Sequence, residues 1–122
     1  LNSIKAVEEY FKNKKDGIIT IVSSIAGYRG LPNSTGYGPS KSALNMIIKN
    51  FSIEINRTNK NSIIFGLHPG TVTSKLSDPF KNKNKNYFSP ETSADYLYNV
   101  IETKTNNDNG KIFDWNNQEI LP

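Results

Sequence analysis

Three residues are spaced so that they could move a proton together. Tyr37 and Lys41 are four apart in Tyr37-Gly38-Pro39-Ser40-Lys41. On a helix that spacing stacks both side chains on one face. An ammonium beside a phenol favours the phenolate, so a phenol placed this way can exchange a proton with an alcohol or carbonyl near neutral pH. Ser24 lies thirteen residues before Tyr37 and closes a β-branched run. Its hydroxyl could hold a carbonyl oxygen while Tyr37 protonates it. A Tyr and a Lys at this spacing also occur as ordinary surface residues on many helices. The setting lifts this pair above that reading: a Ser at a strand end, a glycine-rich connection to the Tyr, and a Pro-Gly turn after the next strand. His68 has no carboxylate placed in sequence to orient it and is read as structural, because an unassisted imidazole fits no triad.

The elements that must position these residues alternate. Residues 2–14 read as an amphipathic helix, with Ile4, Val7, Tyr10 and Phe11 forming its apolar stripe. Lys12, Lys14 and Lys15 suit its C-terminal end, and Gly17 its stop. Ile18-Ile19-Thr20-Ile21-Val22 reads as a parallel strand buried on both faces. A loop with Gly27, Gly30, Pro32 and Gly36 leads into a helix over about 37–56, where Ala43, Leu44, Ile47, Ile48, Phe51 and Ile55 keep helical spacing. Pro39 falls in its first turn, where a missing N–H costs little. Ser62 to Leu67 is a second buried strand that ends at His68-Pro69-Gly70. Ser89 caps a third helix that runs to about Thr103, with Pro90 and Glu91 in its first turn. Asn106 to Gly110 is a turn, and Lys111 to Trp115 a last strand. Helix and strand alternating in this way specify an α/β fold with parallel strands and right-handed crossovers.

Composition bounds the chemistry. The 122 residues fall within the size range of one domain, with a net charge of +4. No cysteine is present, which removes disulfides, thiolate metal sites and thiol catalysis, and the single His68 rules out a multi-histidine metal site. No apolar run approaches the roughly 20 residues of a membrane span. The basic excess is spread out except in Lys81-Asn82-Lys83-Asn84-Lys85-Asn86, which lacks the interleaved aromatics that base stacking would want. With 17 Asn in the chain, this stretch reads as biased composition rather than a nucleic-acid surface. A cytoplasmic location is expected.

Taken together, these motifs resemble the short-chain dehydrogenase/reductase family. Tyr37-Gly38-Pro39-Ser40-Lys41 matches its Tyr-x-x-Ser-Lys form, Ile21 to Gly27 its serine-bearing strand end, and His68 to Ser74 its Pro-Gly-x-Val-x-Thr segment. Ala43-Leu44-Asn45-Met46, Leu76-Ser77-Asp78-Pro79-Phe80 and Gly110 to Trp115 are further similar to its C-factor-like, sniffer-like carbonyl reductase branch. The resemblance implies a doubly wound Rossmann-type sheet and an oxidoreductase that uses NAD or NADP on a small-molecule carbonyl or alcohol. By it, Tyr37 is the acid/base, Lys41 assists Tyr37 and holds the nicotinamide ribose, and Ser24 positions the carbonyl. Pro69, Gly70 and the Val72 backbone line the nicotinamide side, and Ser74 stands where the family has Thr. Residues 75–88 would be a mobile substrate lid with solvated lysines. Two other readings stay open: a signalling or binding protein that keeps the fold without catalysis, and a sugar-nucleotide epimerase or dehydratase.

The family's glycine-rich phosphate turn, its Asn-Asn-Ala-Gly segment and its catalytic Asn have no counterpart in residues 1–122. The resemblance therefore implies a partial domain, the C-terminal half of a longer reductase, expected to be inactive by itself. The strand at 18–22 would then present an uncovered edge. The helices at 2–14 and 37–56 correspond to the family's usual dimer surface, so the full-length protein is expected to be a homodimer or homotetramer.

Overall fold

Ser62–His68 forms the strand at the centre of the molecule, and its first six residues are all buried. The computed structural model describes residues 2–12, 16–83 and 86–122. In chain order these form α1 (Asn2–Lys12), β1 (Gly17–Val22), α2 (Tyr37–Thr58), β2 (Ser62–His68), α3 (Pro90–Glu102) and β3 (Ile112–Asp114). Single 3-10 turns sit at Ile25–Gly27, Asp78–Phe80 and Asn106–Asp108. The sheet runs β1-β2-β3 and both pairings are parallel. The registers are Gly17↔Ser62 through Val22↔Leu67, and Gly66↔Ile112 through His68↔Asp114. The alternation read from the sequence is therefore the alternation of the fold.

Side chains leave β2 alternately to two faces. On one face Ile64 meets Ile48, Phe51 and Ile55 of α2, with Ile112, Ile120 and the half-buried Ile4, Ile19 and Ile21. On the other, Ile63, Phe65 and Leu67 meet Val100, Leu97 and Ile101 of α3 and Phe113 of β3. The Phe65 and Phe113 rings pack edge to face at 6.2 Å. Helix α2 runs two residues beyond its expected end, its Arg57 in the last turn. Helix α3 starts as expected: the Ser89 hydroxyl accepts from the Thr92 N–H and Pro90 holds the first position. Asn109 does more than turn the chain: its Oδ1 accepts from the Ile64 N–H, and its Nδ2 donates to the Ser52 carbonyl.

Strand β1 departs from the reading of a strand buried on both faces. Ile18 is 49% exposed and Val22 57%. By register, Ile18, Thr20 and Val22 stand level with Ile63, Phe65 and Leu67. Helix α3 covers that face over β2 and β3, and no β1 residue belongs to its apolar cluster. A β-branched run records strand propensity, not which helix reaches it. Gly17, expected as a helix stop, is instead the first residue of β1, with the Phe11 ring lying where its side chain would be. The cationic helix end expected at Lys14 and Lys15 lies outside the described residues, as does Lys85. Among the described helices none is long and apolar enough to cross a membrane.

The two faces of β2 and the open face of β1 predict unequal mutational costs. Phe65→Ala empties a fully buried site and should cost about 3–5 kcal/mol. Val22→Ala, on the open face, should stay within roughly 0.5 kcal/mol. Urea denaturation of the two variants beside the parent protein checks this, and equal losses would contradict the one-sided burial of β1.

Candidate active site

The polypeptide leaves β1 and β2 side by side. The Ser23 N–H donates to the Leu67 carbonyl at 2.7 Å, which carries the ladder one residue beyond β1. Ser24 and the His68-Pro69-Gly70 turn therefore emerge at neighbouring strand ends, at the carboxyl edge where open α/β sheets hold ligands. Ser24 is 8% exposed and caps the turn Ile25–Gly27, its Oγ accepting from the Ala26 N–H at 3.1 Å.

The first two turns of α2 lie against this strand exit. Gly36 precedes the helix, Tyr37 is its first residue, and Tyr37 is 44% exposed. The Lys41 Nζ stands 5.7 Å from the centre of the Tyr37 ring and donates to the Val22 carbonyl at 3.1 Å. The pair thus shares one helix face, and the lysine bridges from it to the end of β1. A Cβ on Gly38 would come within 3.2 Å of the Ala26 carbonyl oxygen, so helix and serine-bearing segment meet nearly backbone to backbone. The first turns of α2, which carry Tyr37 and Lys41, thus lie against the segment that contains Ser24.

The Pro69-Gly70 turn is fixed from below. Gly70 has φ +74°, and a Cβ there would meet the Phe88 ring at 2.7 Å and Trp115 at 2.9 Å. Phe88, Tyr96 and Trp115 form a cluster of three rings, with the Phe88 and Trp115 centroids 4.7 Å apart. The buried Ser93 hydroxyl donates to the Pro69 carbonyl at 2.9 Å. Val72 pairs with Phe88 in a short parallel bridge. The Ser74 hydroxyl is exposed and is engaged within its own turn, accepting from the Ser77 N–H at 3.3 Å. Residues 75–88, expected as a lid, leave and return through a closed neck: Phe88 N–H to Thr71 carbonyl and Thr73 N–H to Phe88 carbonyl, both 2.9 Å. Lys81 pairs with Asp78 at 2.6 Å, with both side chains half exposed. Screening leaves such a pair little net worth.

Sequence reasoning missed four contributors. The Val22 carbonyl has no residue type to betray it. Ser93 and the ring cluster reach the turn only through tertiary packing, although the lone Trp115 was a visible signal. Asp114, the fourth, stands level with His68 across the β2–β3 register, so a carboxylate does face the imidazole. Its Oδ1, however, accepts from the Asn116 and Gln118 N–H groups, and among the described residues the buried His68 Nδ1 has no hydrogen-bond partner. Among the described residues the carboxylate therefore does not orient the imidazole through Nδ1. Among the described residues no group of three or more His, Asp or Glu could hold a metal ion.

A family model described as short chain dehydrogenase matches residues 1–85. An uncharacterized oxidoreductase of Saccharomyces cerevisiae is 36% identical over 118 aligned residues, which cover 87% of this chain and 45% of that protein. The structure of NADPH-bound carbonyl reductase from chicken fatty liver aligns with a TM-score of 0.80 at 20% identity, over 97% of this chain and 50% of that one. Carbonyl reductase Sniffer of D. melanogaster aligns at 0.69 with 24% identity, over 98% of this chain and 46% of that one. At those identities the two structures establish a common fold. The chain spans about half the length of the curated relatives it matches.

Burial holds His68 below the usual imidazole value of 6.5, and Asp114 opposes that shift without reversing it. The folded imidazole therefore stays neutral where the unfolded one already takes up a proton. Stability should fall as pH drops below 6.5, until the folded imidazole titrates as well. Following the His68 ring protons by NMR across that range should give a midpoint below 6.5, and a midpoint above it would show that Asp114 dominates.

Proposed function

The chain belongs to the short chain dehydrogenase family, and from that premise we propose that it carries the Ser24–Tyr37–Lys41 site of an oxidoreductase acting on a carbonyl/alcohol pair with NAD or NADP. The observation that carries this reading is the placement of Lys41, whose Nζ lies between the Tyr37 ring and the Val22 carbonyl at the strand end. An acid/base phenol needs a neighbouring cation to stabilise its phenolate, and the lysine is anchored where it can do so.

In the direction of reduction, the Tyr37 hydroxyl gives its proton to the carbonyl oxygen. The Lys41 ammonium stabilises the negative charge left on the phenol. Ser24 Oγ already accepts from the Ala26 N–H, so its own O–H is the group that donates to the carbonyl oxygen. These donors fit the nicotinamide end of a dinucleotide. An ammonium has three N–H bonds, and one going to Val22 leaves the others to hold ribose hydroxyls. The rigid Pro69-Gly70 turn and the Val72 backbone would flank the ring. The bound nicotinamide would supply or accept the hydride. The NADPH named for the chicken carbonyl reductase supports this cofactor class.

Residues 1–122 contain no Gly-x-x-x-Gly-x-Gly, the turn that would cradle a pyrophosphate. The reading therefore assigns them the substrate and nicotinamide half of the domain. Met46 and Ile53, both more than half exposed on α2, and Tyr10 on α1 would supply the apolar contacts of a dimer in the full-length protein.

In the full-length protein, Tyr37→Phe should lower turnover by about 10²–10⁴-fold while sparing cofactor affinity, since only the proton donor is lost. Lys41→Ala should damage turnover and cofactor binding together. Steady-state carbonyl reduction and cofactor titration by fluorescence measure both, and near-full activity of Tyr37→Phe would overturn the site.

A further inference from the structure

The face that α2 turns toward the serine-bearing segment is unusually polar for a buried contact. Gly38, Lys41, Ser42 and Asn45 follow one another at helical spacing. Lys41 donates to the Val22 carbonyl, and the Ser42 hydroxyl donates to the Gly27 carbonyl at 2.6 Å. Asn45, one turn beyond Lys41, is 2% exposed, and its Oδ1 accepts from the Ser23 hydroxyl. Gly27 lies directly against this row. A Cβ there would fall 2.4 Å from Asn45 Nδ2 and 2.9 Å from the Lys41 carbonyl oxygen.

Asn45 is an expensive choice for this position. Its Nδ2 is buried, and among the described residues it has no hydrogen-bond partner. A buried, unmatched donor destabilises a fold, whereas a leucine of similar shape would carry no such penalty. Packing therefore does not account for an amide here, and what the amide does achieve is the grip on Ser23. Ser23 is itself the residue that bonds across to the Leu67 carbonyl and delivers the chain into Ser24.

We propose that Asn45 is a positioning residue. Through Ser23, and together with the Ser42–Gly27 bond, it fixes the Ser24 hydroxyl relative to Tyr37 and Lys41. The proposal rests on the reading of Ser24 as the group that holds the carbonyl. The chain of contacts is short: Asn45 holds Ser23, and Ser24 then caps the Ile25–Gly27 turn through its own bond from the Ala26 N–H. Without Asn45, Ser24 would keep its hydroxyl and lose its fixed place.

The test uses the full-length protein and two readouts. Asn45→Ala should lower kcat for carbonyl reduction by roughly 10–100-fold, the scale of a misplaced catalytic group, with the KM for cofactor unchanged. In a Ser24→Ala background the same substitution should have no further effect on kcat, because the group it positions is already gone. A role confined to general stability would multiply the two losses and overturn the proposal. The second readout is hydrogen exchange, which does not depend on activity. Asn45→Ala should speed exchange of the Ala26 and Gly27 amides on the order of tenfold and leave the β2–β3 amides unchanged. Unchanged exchange at Ala26 and Gly27 would overturn the proposal whatever the kinetics show. Ser23→Ala cuts the same link from the other side without opening a gap on α2, so it gives both readouts if Asn45→Ala fails to fold. Tyr37→Phe is the control that separates the two claims. Should it keep full activity, the catalytic reading falls, and the exchange result alone then decides whether Asn45 holds the Ser24 segment.

Discussion

The close approach of α2 to the chain leaving β1 is the constraint on which the candidate site depends. Gly38 and Gly27 sit where a side chain would press on backbone, against the Ala26 carbonyl in one case and the Lys41 carbonyl in the other. Removing those two side chains lets a helix and a strand exit lie close enough for Lys41 to reach a main-chain oxygen. The same helix is rooted further along by Ile48, Phe51 and Ile55 in the core beneath β2. The N-terminal turns of α2 therefore inherit their position from packing about two turns away. Tyr37 and Lys41 of the candidate site stand on a core helix and not on a free loop.

The second strand exit is braced by different means. Gly70 adopts a left-handed conformation, and the rings of Phe88 and Trp115 occupy the space beside it. Ser93 fixes the preceding carbonyl from α3. One half of the carboxyl edge is thus held by close backbone contact and polar side chains, the other by the Ser93 hydroxyl and rings packed mostly edge to face. Both halves converge because β1 and β2 are neighbours in register, and a parallel pair presents its two carboxyl ends at one edge.

Much of this was legible in the residues. The alternation of helix and strand, the Ser89 cap, and the fourfold spacing of Tyr37 and Lys41 are local patterns, and local patterns survive in a sequence. What escaped depended on distant pieces of chain. Ile18 to Val22 and Ile63 to Leu67 look alike in composition, yet one strand has an open face and the other none, because α3 crosses only β2 and β3. Asp114 faces His68 only through strand register, across 46 residues of sequence. Ser42, Asn45 and Ser93 bond to groups 15, 22 and 24 residues away. Two of those three bonds end on carbonyls, which carry no sequence identity at all.

The neck that closes residues 74–87 separates the site from whatever those residues become. The two backbone hydrogen bonds of the Val72–Phe88 bridge tie its two ends together before the loop begins. For a loop with its ends already fixed, doubling its length adds only about 0.6 kcal/mol of closure entropy. Insertions and deletions between Ser74 and Tyr87 can therefore accumulate without shifting Gly70 or the strand ends. The fold holds the two strand exits still while leaving the adjoining segment open to evolutionary change in length and composition.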